Sequence, residues 1–178
     1  HTTSKSLLSK HLENKVQSEA PHRTDVYIVD AMYLVQSLEP KDLPASYGAL
    51  ARYILGRICQ APHVDFICDL YPVPSIKEEE QEKRGVDDDL NISIKGAHQK
   101  RPKDFKRALK SRKFKKALVA FLRQEWSKDE YQNILQGHEL YVNFDKNCTK
   151  QSVDEHGVKA EEVNELQNSH EEADTLIA

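Results

Sequence analysis

Three short apolar runs stand out of a largely polar chain, and each has the composition of a buried strand. They are Asp25-Val26-Tyr27-Ile28-Val29, Val64-Asp65-Phe66-Ile67-Cys68, and Glu139-Leu140-Tyr141-Val142 within His138–Phe144. The first is nearly continuous in apolar residues, as in a strand buried on both faces of a sheet. Between the first two, Ala31–Leu38 reads as a helix and Pro40 and Pro44 mark a loop. Leu50, Tyr53, Ile54 and Ile58 then recur at helical spacing within Ser46–Cys59, and Pro62 closes that helix. The order strand, helix, helix, strand predicts two parallel strands joined by a helical crossover.

The segment Ser75–Arg84 is charged and helix-prone, and Gly85 with Asp87–Asp89 ends it; residues 87–102 have turn chemistry. Phe105 to Trp126 predicts a helix broken near Ser111, with Phe114, Leu118, Phe121, Leu122 and Trp126 along one side. A polar insert over roughly residues 145–157 leads to a further helical region and a last helix over 169–178. The alternation predicts one α/β domain over residues 25–178, behind a polar segment 1–24 that holds a short helix around Leu7-Leu8. Residue 1 is His, the one methionine is Met32, and the sequence stops at Ala178 within a predicted helix. The chain is therefore expected to be a fragment that continues past its C-terminus.

Composition narrows the class. At 178 residues the chain has room for one domain with a real core, and 31% charged residues at a mean hydropathy of −0.71 exclude a membrane bundle. No apolar run approaches the roughly 20 residues of a membrane span, so no membrane partner is expected. Cys59, Cys68 and Cys148 are odd in number and far apart, the pattern of reduced cysteines in an intracellular protein.

The net charge of −3 conceals an asymmetry. Between Lys95 and Lys116 lie eleven Lys or Arg and one acid, Asp104, a net +10; the remainder carries fifteen basic and 28 acidic residues, a net −13. A concentrated basic stretch attracts polyanions locally even at a pI near 6.3. A solvated helix face or a nuclear-import-like patch accounts for the same run, and the run is compatible with a nuclear location. Phe105, Phe114 and Phe121 border it at core-stripe spacing, so no base-stacking platform is expected.

The chemistry sits at strand ends. Tyr-Ile-Val-Asp30 and Phe-Ile-Cys-Asp69 each close a buried-type strand with a carboxylate, and the carboxyl ends of parallel strands line the ligand crevice of open α/β sheets. Two such aspartates suit a hard divalent cation, which takes oxygen ligands and shares them with a substrate phosphate. Asp30 has a competing role as the cap of the helix starting at Ala31. Asp69 is followed by Pro72 and Pro74 and no immediate helix. Near the end, Glu171, Glu172 and Asp174 fall in a helical first turn, where acids also offset the helix dipole. Helix geometry alone pairs Glu171 with Asp174.

With these residues in place the chain resembles the PIN-like nuclease superfamily, in particular its flap-endonuclease and polymerase-associated 5′-nuclease branch. It also resembles a group of uncharacterised multicopy animal proteins that share Ser-Ile-Lys and Glu-Glu-Ala-Asp-Thr segments. The likeness spans about residues 25–178 and is closest at short motifs. It implies a three-layer, Rossmann-like α/β fold with a mostly parallel central sheet and a basic helical insertion at about 95–126. It matches Asp30 and Asp69 to the first two metal-binding aspartates, and Glu172-Ala173-Asp174 to the third acidic motif, which favours Glu172 over Glu171. It further implies that Lys77 and Arg84 contact the scissile phosphate, with Lys83 as an alternative, and that Mg²⁺ or Mn²⁺ is the cofactor. The Lys95–Lys116 region would hold DNA or RNA. Thr175 stands where polymerase-associated members have a second Asp, and the Asp-x-Asp strand end and Gly-rich N-terminus of the family are absent from the sequence. The resemblance therefore implies a metal-dependent nuclease whose isolated fragment is inactive. The alternative is a catalytically inactive PIN-like module that binds nucleic acid or a protein. No Gly-rich phosphate loop and no nucleophile elbow is present.

Overall fold

The computed structural model describes residues 23–68 and 93–166. Five strands form one open sheet in sequence order: β1 (Val26–Asp30), β2 (His63–Ile67), β3 (Glu139–Phe144), β4 (Asn147–Asp154) and β5 (Gly157–Glu162). The pairs β1–β2 and β2–β3 are parallel, and β3–β4 and β4–β5 are antiparallel. The crossover expected between the first two strands is present as α1 (Ala31–Ser37) and α2 (Tyr47–Ile58). The expected helix from Phe105 occurs in two pieces, α3 (Phe105–Ala108) and α4 (Arg112–Trp126), followed by a turn of helix, α5 (Gln132–Leu135). The break falls where expected, because Ser111 caps α4 by accepting the Phe114 N–H at 3.3 Å.

The registers show which residues share a face. Val29, Val64, Phe66, Leu140 and Val142 lie on one side of the sheet and enter the core together with residues from α1 to α5. Within α4, Phe114, Leu118, Leu122 and Trp126 follow the 3.6-residue period and are all buried. Trp126 meets Phe66 edge-on at 5.3 Å, and its indole N–H donates to the Ala51 carbonyl at 2.9 Å, so one side chain ties α4 to both the sheet and α2. Gln151 of β4, fully buried, donates from Nε2 to the Arg123 carbonyl of α4 at 2.7 Å. Glu125 is a buried carboxylate answered by Lys128 at 2.6 Å and by the Tyr131 hydroxyl at 3.3 Å.

A strap over residues 93–101 closes the N-terminus of α2. Tyr47 N–H donates to the Gln99 carbonyl at 3.0 Å and Gly48 N–H to the Ala97 carbonyl at 2.8 Å, while Ser46 Oγ accepts from Ala49. Three of the four N–H groups that a helix start leaves open are thereby used. Position 48 needs glycine for this approach, because a Cβ there would stand 2.8 Å from the Ala97 Cβ.

Two expectations change. The polar insert and the helical region after it are the strands β4 and β5, followed by a single turn at Asn164–Leu166. Their signal is hidden because β4 buries Thr149 and Gln151 rather than aliphatic residues. The β3–β4 turn is also disguised: Asp145 and Lys146 form a two-residue hairpin loop with φ of 51° and 71°, the geometry usually given to Asn-Gly. The second change concerns β1. It lies at the sheet edge among the described residues, with Val26, Tyr27 and Ile28 exposed and Val29 alone of its apolar residues buried, not buried on both faces as its composition suggested.

Lys146→Gly should therefore raise the stability by about 0.5–1 kcal/mol, because it removes the left-handed strain of a non-Gly residue and leaves every contact of the sheet intact. Urea unfolding measures this; a loss of stability would contradict the turn geometry.

Candidate functional site

The carboxyl ends of the three parallel strands meet at Asp30, Ile67-Cys68 and Asn143-Phe144. Asp30 is in register with Ile67, Ile67 with Asn143, and Cys68 N–H donates to the Asn143 carbonyl at 3.2 Å. Asp30 is the one sequence-predicted site residue that the described structure contains, and it is half-buried. Its Oδ1 accepts the N–H groups of Met32 and Tyr33, both at 2.9 Å, which makes it the N-cap of α1. Both roles foreseen for this residue are thus compatible: Oδ1 serves the helix, and Oδ2 makes no hydrogen bond to any described residue. Asp69, Lys77, Arg84, Glu172 and Asp174 lie outside the described residues, as do Lys83 and Glu171. Among the described residues no group of three or more His, Cys, Asp or Glu side chains is placed to hold a metal ion.

The basic run resolves into unlike parts. Arg101 is internal to the fold: its guanidinium donates to the carbonyls of Pro44 at 2.8 Å, Pro40 at 2.7 Å, Leu43 at 3.1 Å and Pro102 at 3.3 Å, and lies over the Phe105 ring. A planar fork of donors suits this cluster in a way that a lysine ammonium does not. By contrast Lys95, Lys100, Lys103, Lys106, Arg107, Lys110 and Lys113 are exposed. Lys106 stands 3.6 Å from Glu39, an exposed pair that contributes little. Phe105, Ala108, Leu109, Ser111 and Phe114 are buried, so the cations from 103 to 113 form a stripe on the outer side of α3 and the start of α4. The run is folded surface here, with its phenylalanines in or against the core as their spacing predicted.

The sheet also assembles a cluster that the sequence did not reveal. On the side opposite the core, register aligns Asp65 with Tyr141 and Lys150, and His63 with Glu139. His63 Nε2 lies 3.2 Å from Asp65 Oδ2, its ring stacks on Tyr141 at 4.6 Å, and Glu139 bridges the Tyr141 hydroxyl and Lys150. The Lys150 ammonium holds the Glu139 carboxyl below its usual range, and Glu139 in turn raises Lys150. His63 and Asp65 share β2, Glu139 and Tyr141 share β3, and Lys150 comes from β4, so the full cluster becomes visible only when the register is known. Cysteine chemistry is suppressed: burial pushes the Cys59 and Cys148 thiols up to about 11 each.

Comparison with known protein families, with curated proteins and with solved structures finds no match to this chain.

Replacing Asp30 separates its two roles. Asp30→Ala should cost about 1 kcal/mol through loss of the cap, whereas Asp30→Asn keeps an acceptor for both N–H groups and should stay within about 0.5 kcal/mol of wild type. Denaturant titration of the two variants checks this, and equal losses would show that the cap contributes nothing. Arg101→Lys, which keeps the charge and loses the fork, should destabilise by about 1–3 kcal/mol. A neutral result by thermal unfolding would remove Arg101 from the structural account.

Proposed function

We propose that this chain is the core of a PIN-like, divalent-metal-dependent nuclease of the flap-endonuclease branch, hydrolysing phosphodiester bonds in DNA or RNA. The observation that supports it most is the position of Asp30, at the carboxyl end of a strand parallel to β2, whose chain runs through Cys68 directly into Asp69. That is the location at which open α/β sheets bind ligands. The three-layer arrangement and the remaining acidic motif belong to the same reading and rest on the sequence resemblance.

Asp30 fits one ligand position, since Oδ2 is a hard oxygen donor without a described partner. Asp69, Glu172 and Asp174 would complete the set. Mg²⁺ or Mn²⁺ bound there supplies Lewis acidity at a phosphoryl oxygen and lowers the pKa of bound water. Lys77 and Arg84 would neutralise charge on the phosphoryl oxygens. The exposed cations between Lys95 and Lys113 would position the nucleic-acid backbone, in contacts that weaken with salt. Arg101, held inside the fold, would take no part in binding.

A second reading, an inactive module that binds nucleic acid or a protein, draws support from one observation: the double cap bond gives Asp30 a structural reason to be aspartate.

Cleavage assays on the full-length protein with Mg²⁺ and with Mn²⁺ distinguish the two. The nuclease reading expects hydrolysis that chelation abolishes and that falls at least about 100-fold in Asp30→Asn and Asp69→Asn. Unchanged turnover in either variant contradicts the metal assignment; binding without cleavage in the wild type favours the inactive module. Charge reversal at Lys106, Lys110 and Lys113 should weaken oligonucleotide binding at least about tenfold at low salt and flatten its salt dependence. Undiminished binding would move the interface elsewhere.

A further inference from the structure

One buried acceptor on β4 has no donor. Gln151 is fully buried, and its Nε2 donates to the Arg123 carbonyl at 2.7 Å, but its Oε1 has no hydrogen-bond partner among the described residues. An orphaned carbonyl inside a protein costs stability, and native structures keep few of them, so each calls for a reason. Gln151 lines a groove of about 420 Å³ between the C-terminal half of α4 and the β4–β5 hairpin, a volume within the range of small-ligand sites.

Opposed residues of antiparallel strands share a face, so Thr149 with Glu162, and Gln151 with Ala160, project from the same side of the sheet as Leu140 and Val142. Ala120, Arg123 and Ser127 of the α4 segment form the other wall of the groove. Its hydrogen-bonding groups are largely uncommitted. The Arg123 guanidinium makes one contact, from Nη1 to the Thr149 hydroxyl at 3.5 Å. Glu162 is exposed and has no ion pair among the described residues, whereas its neighbour Glu161 is held on the opposite side of the sheet by Lys159 at 2.6 Å. The groove therefore presents a fork of donors at Arg123 and two open acceptors, the Gln151 carboxamide oxygen and the Glu162 carboxylate.

We infer that this groove binds a guanine base. Guanine carries the O6 and N7 acceptors that suit an arginine fork, and beside them the N1–H and N2–H₂ donors that suit a carboxylate and a carboxamide oxygen. Adenine, cytosine and uracil each present a single donor group and leave either Gln151 or Glu162 unanswered. No aromatic ring lines the groove, and Ala120 and Ala160 supply its apolar contact, so selection falls to the base edge. The groove also continues the basic stripe. Lys113, Lys116, Ala120 and Arg123 follow one another at three- and four-residue spacing along α4, which sets Arg123 about 15 Å from Lys113. A strand held by its backbone at the stripe reaches the groove with a base. The site goes beyond the nuclease reading and stands without it, because base binding needs neither metal nor cleavage.

Titration of the full chain with GMP, followed by NMR of backbone and side-chain amides, tests this. GMP should shift the Thr149, Gln151 and Ala160 amides and the Gln151 side-chain NH₂ saturably. Its affinity should exceed that of AMP at least about tenfold and that of IMP, which lacks the 2-amino group, at least about fivefold. Arg123→Gln and Glu162→Gln should each weaken GMP at least about tenfold with an unchanged circular dichroism spectrum, since the Arg123 carbonyl that holds Gln151 is backbone and remains. An oligothymidine carrying one guanine distinguishes the sources of the base. Tighter binding than GMP assigns the site to a strand, equal or weaker binding to the free nucleotide, and either supports the guanine site. Absence of saturable shifts at these signals overturns the inference. So does equal affinity for AMP and GMP, or wild-type GMP binding by both variants. Cleavage does not enter the readout, so failure of this site and failure of the nuclease reading are seen separately.

Discussion

Parallel pairing of β1, β2 and β3 is the constraint from which the rest of the fold follows. Parallel neighbours cannot be joined by a hairpin, so the chain must return across the sheet between them, and the returning segments must be amphipathic helices that cover it. That demand explains the stripes of α2 and α4, and it explains why Trp126 touches Phe66 and Ala51 at once. It also gathers the three strand ends at one rim, where Asp30 sits beside Ile67 and where β2 leads into Asp69. Once the third strand is placed, the chain adds β4 and β5 by local hairpins, which carry no such requirement.

Polar residues hold the joints of this arrangement, and each has a specific electrostatic partner. Asp30 fixes the turn from β1 into α1, Arg101 gathers three carbonyls of the loop between α1 and α2, and the strap at Ala97 and Gln99 caps α2. Glu125 is buried against Lys128 and Tyr131, and burial beside that carboxylate drives the Tyr131 hydroxyl well above its ordinary range. The consequence for function is a division of labour within the basic run. Arg101 is used inside the fold, whereas Lys103, Lys106, Arg107, Lys110 and Lys113 are exposed, so the proposed nucleic-acid contact would draw on only part of the run.

The strands and crossover helices were legible because their apolar residues keep the periods of 2 and 3.6, from Val64 and Phe66 on β2 to Leu118 and Leu122 on α4. The break at Ser111 was legible because a serine cap precedes a helix-forming run. The β4 and β5 strands were not, because β4 buries Thr149 and Gln151 beside Cys148 and no aliphatic residue, and the turn leading into β4 uses Asp145-Lys146 in place of glycine. The exposure of β1 was invisible for a related reason: composition reports what a strand is suited to pack against, and not what neighbours it has. At the candidate site, Asp30 could be placed from sequence because it ends an apolar run. The His63–Asp65–Tyr141 group could not, since only the register brings those strands together.

The account stands or falls on whether the rim at Asp30 takes a divalent cation. Paramagnetic broadening of amide signals by Mn²⁺, recorded on the full-length protein and on Asp30→Asn, measures this directly. The account predicts selective broadening at Ala31, Met32, Cys68 and Asn143, displaced by Mg²⁺ and lost in the variant. Broadening confined to Glu161 and Glu162, or equal in the two proteins, would contradict it.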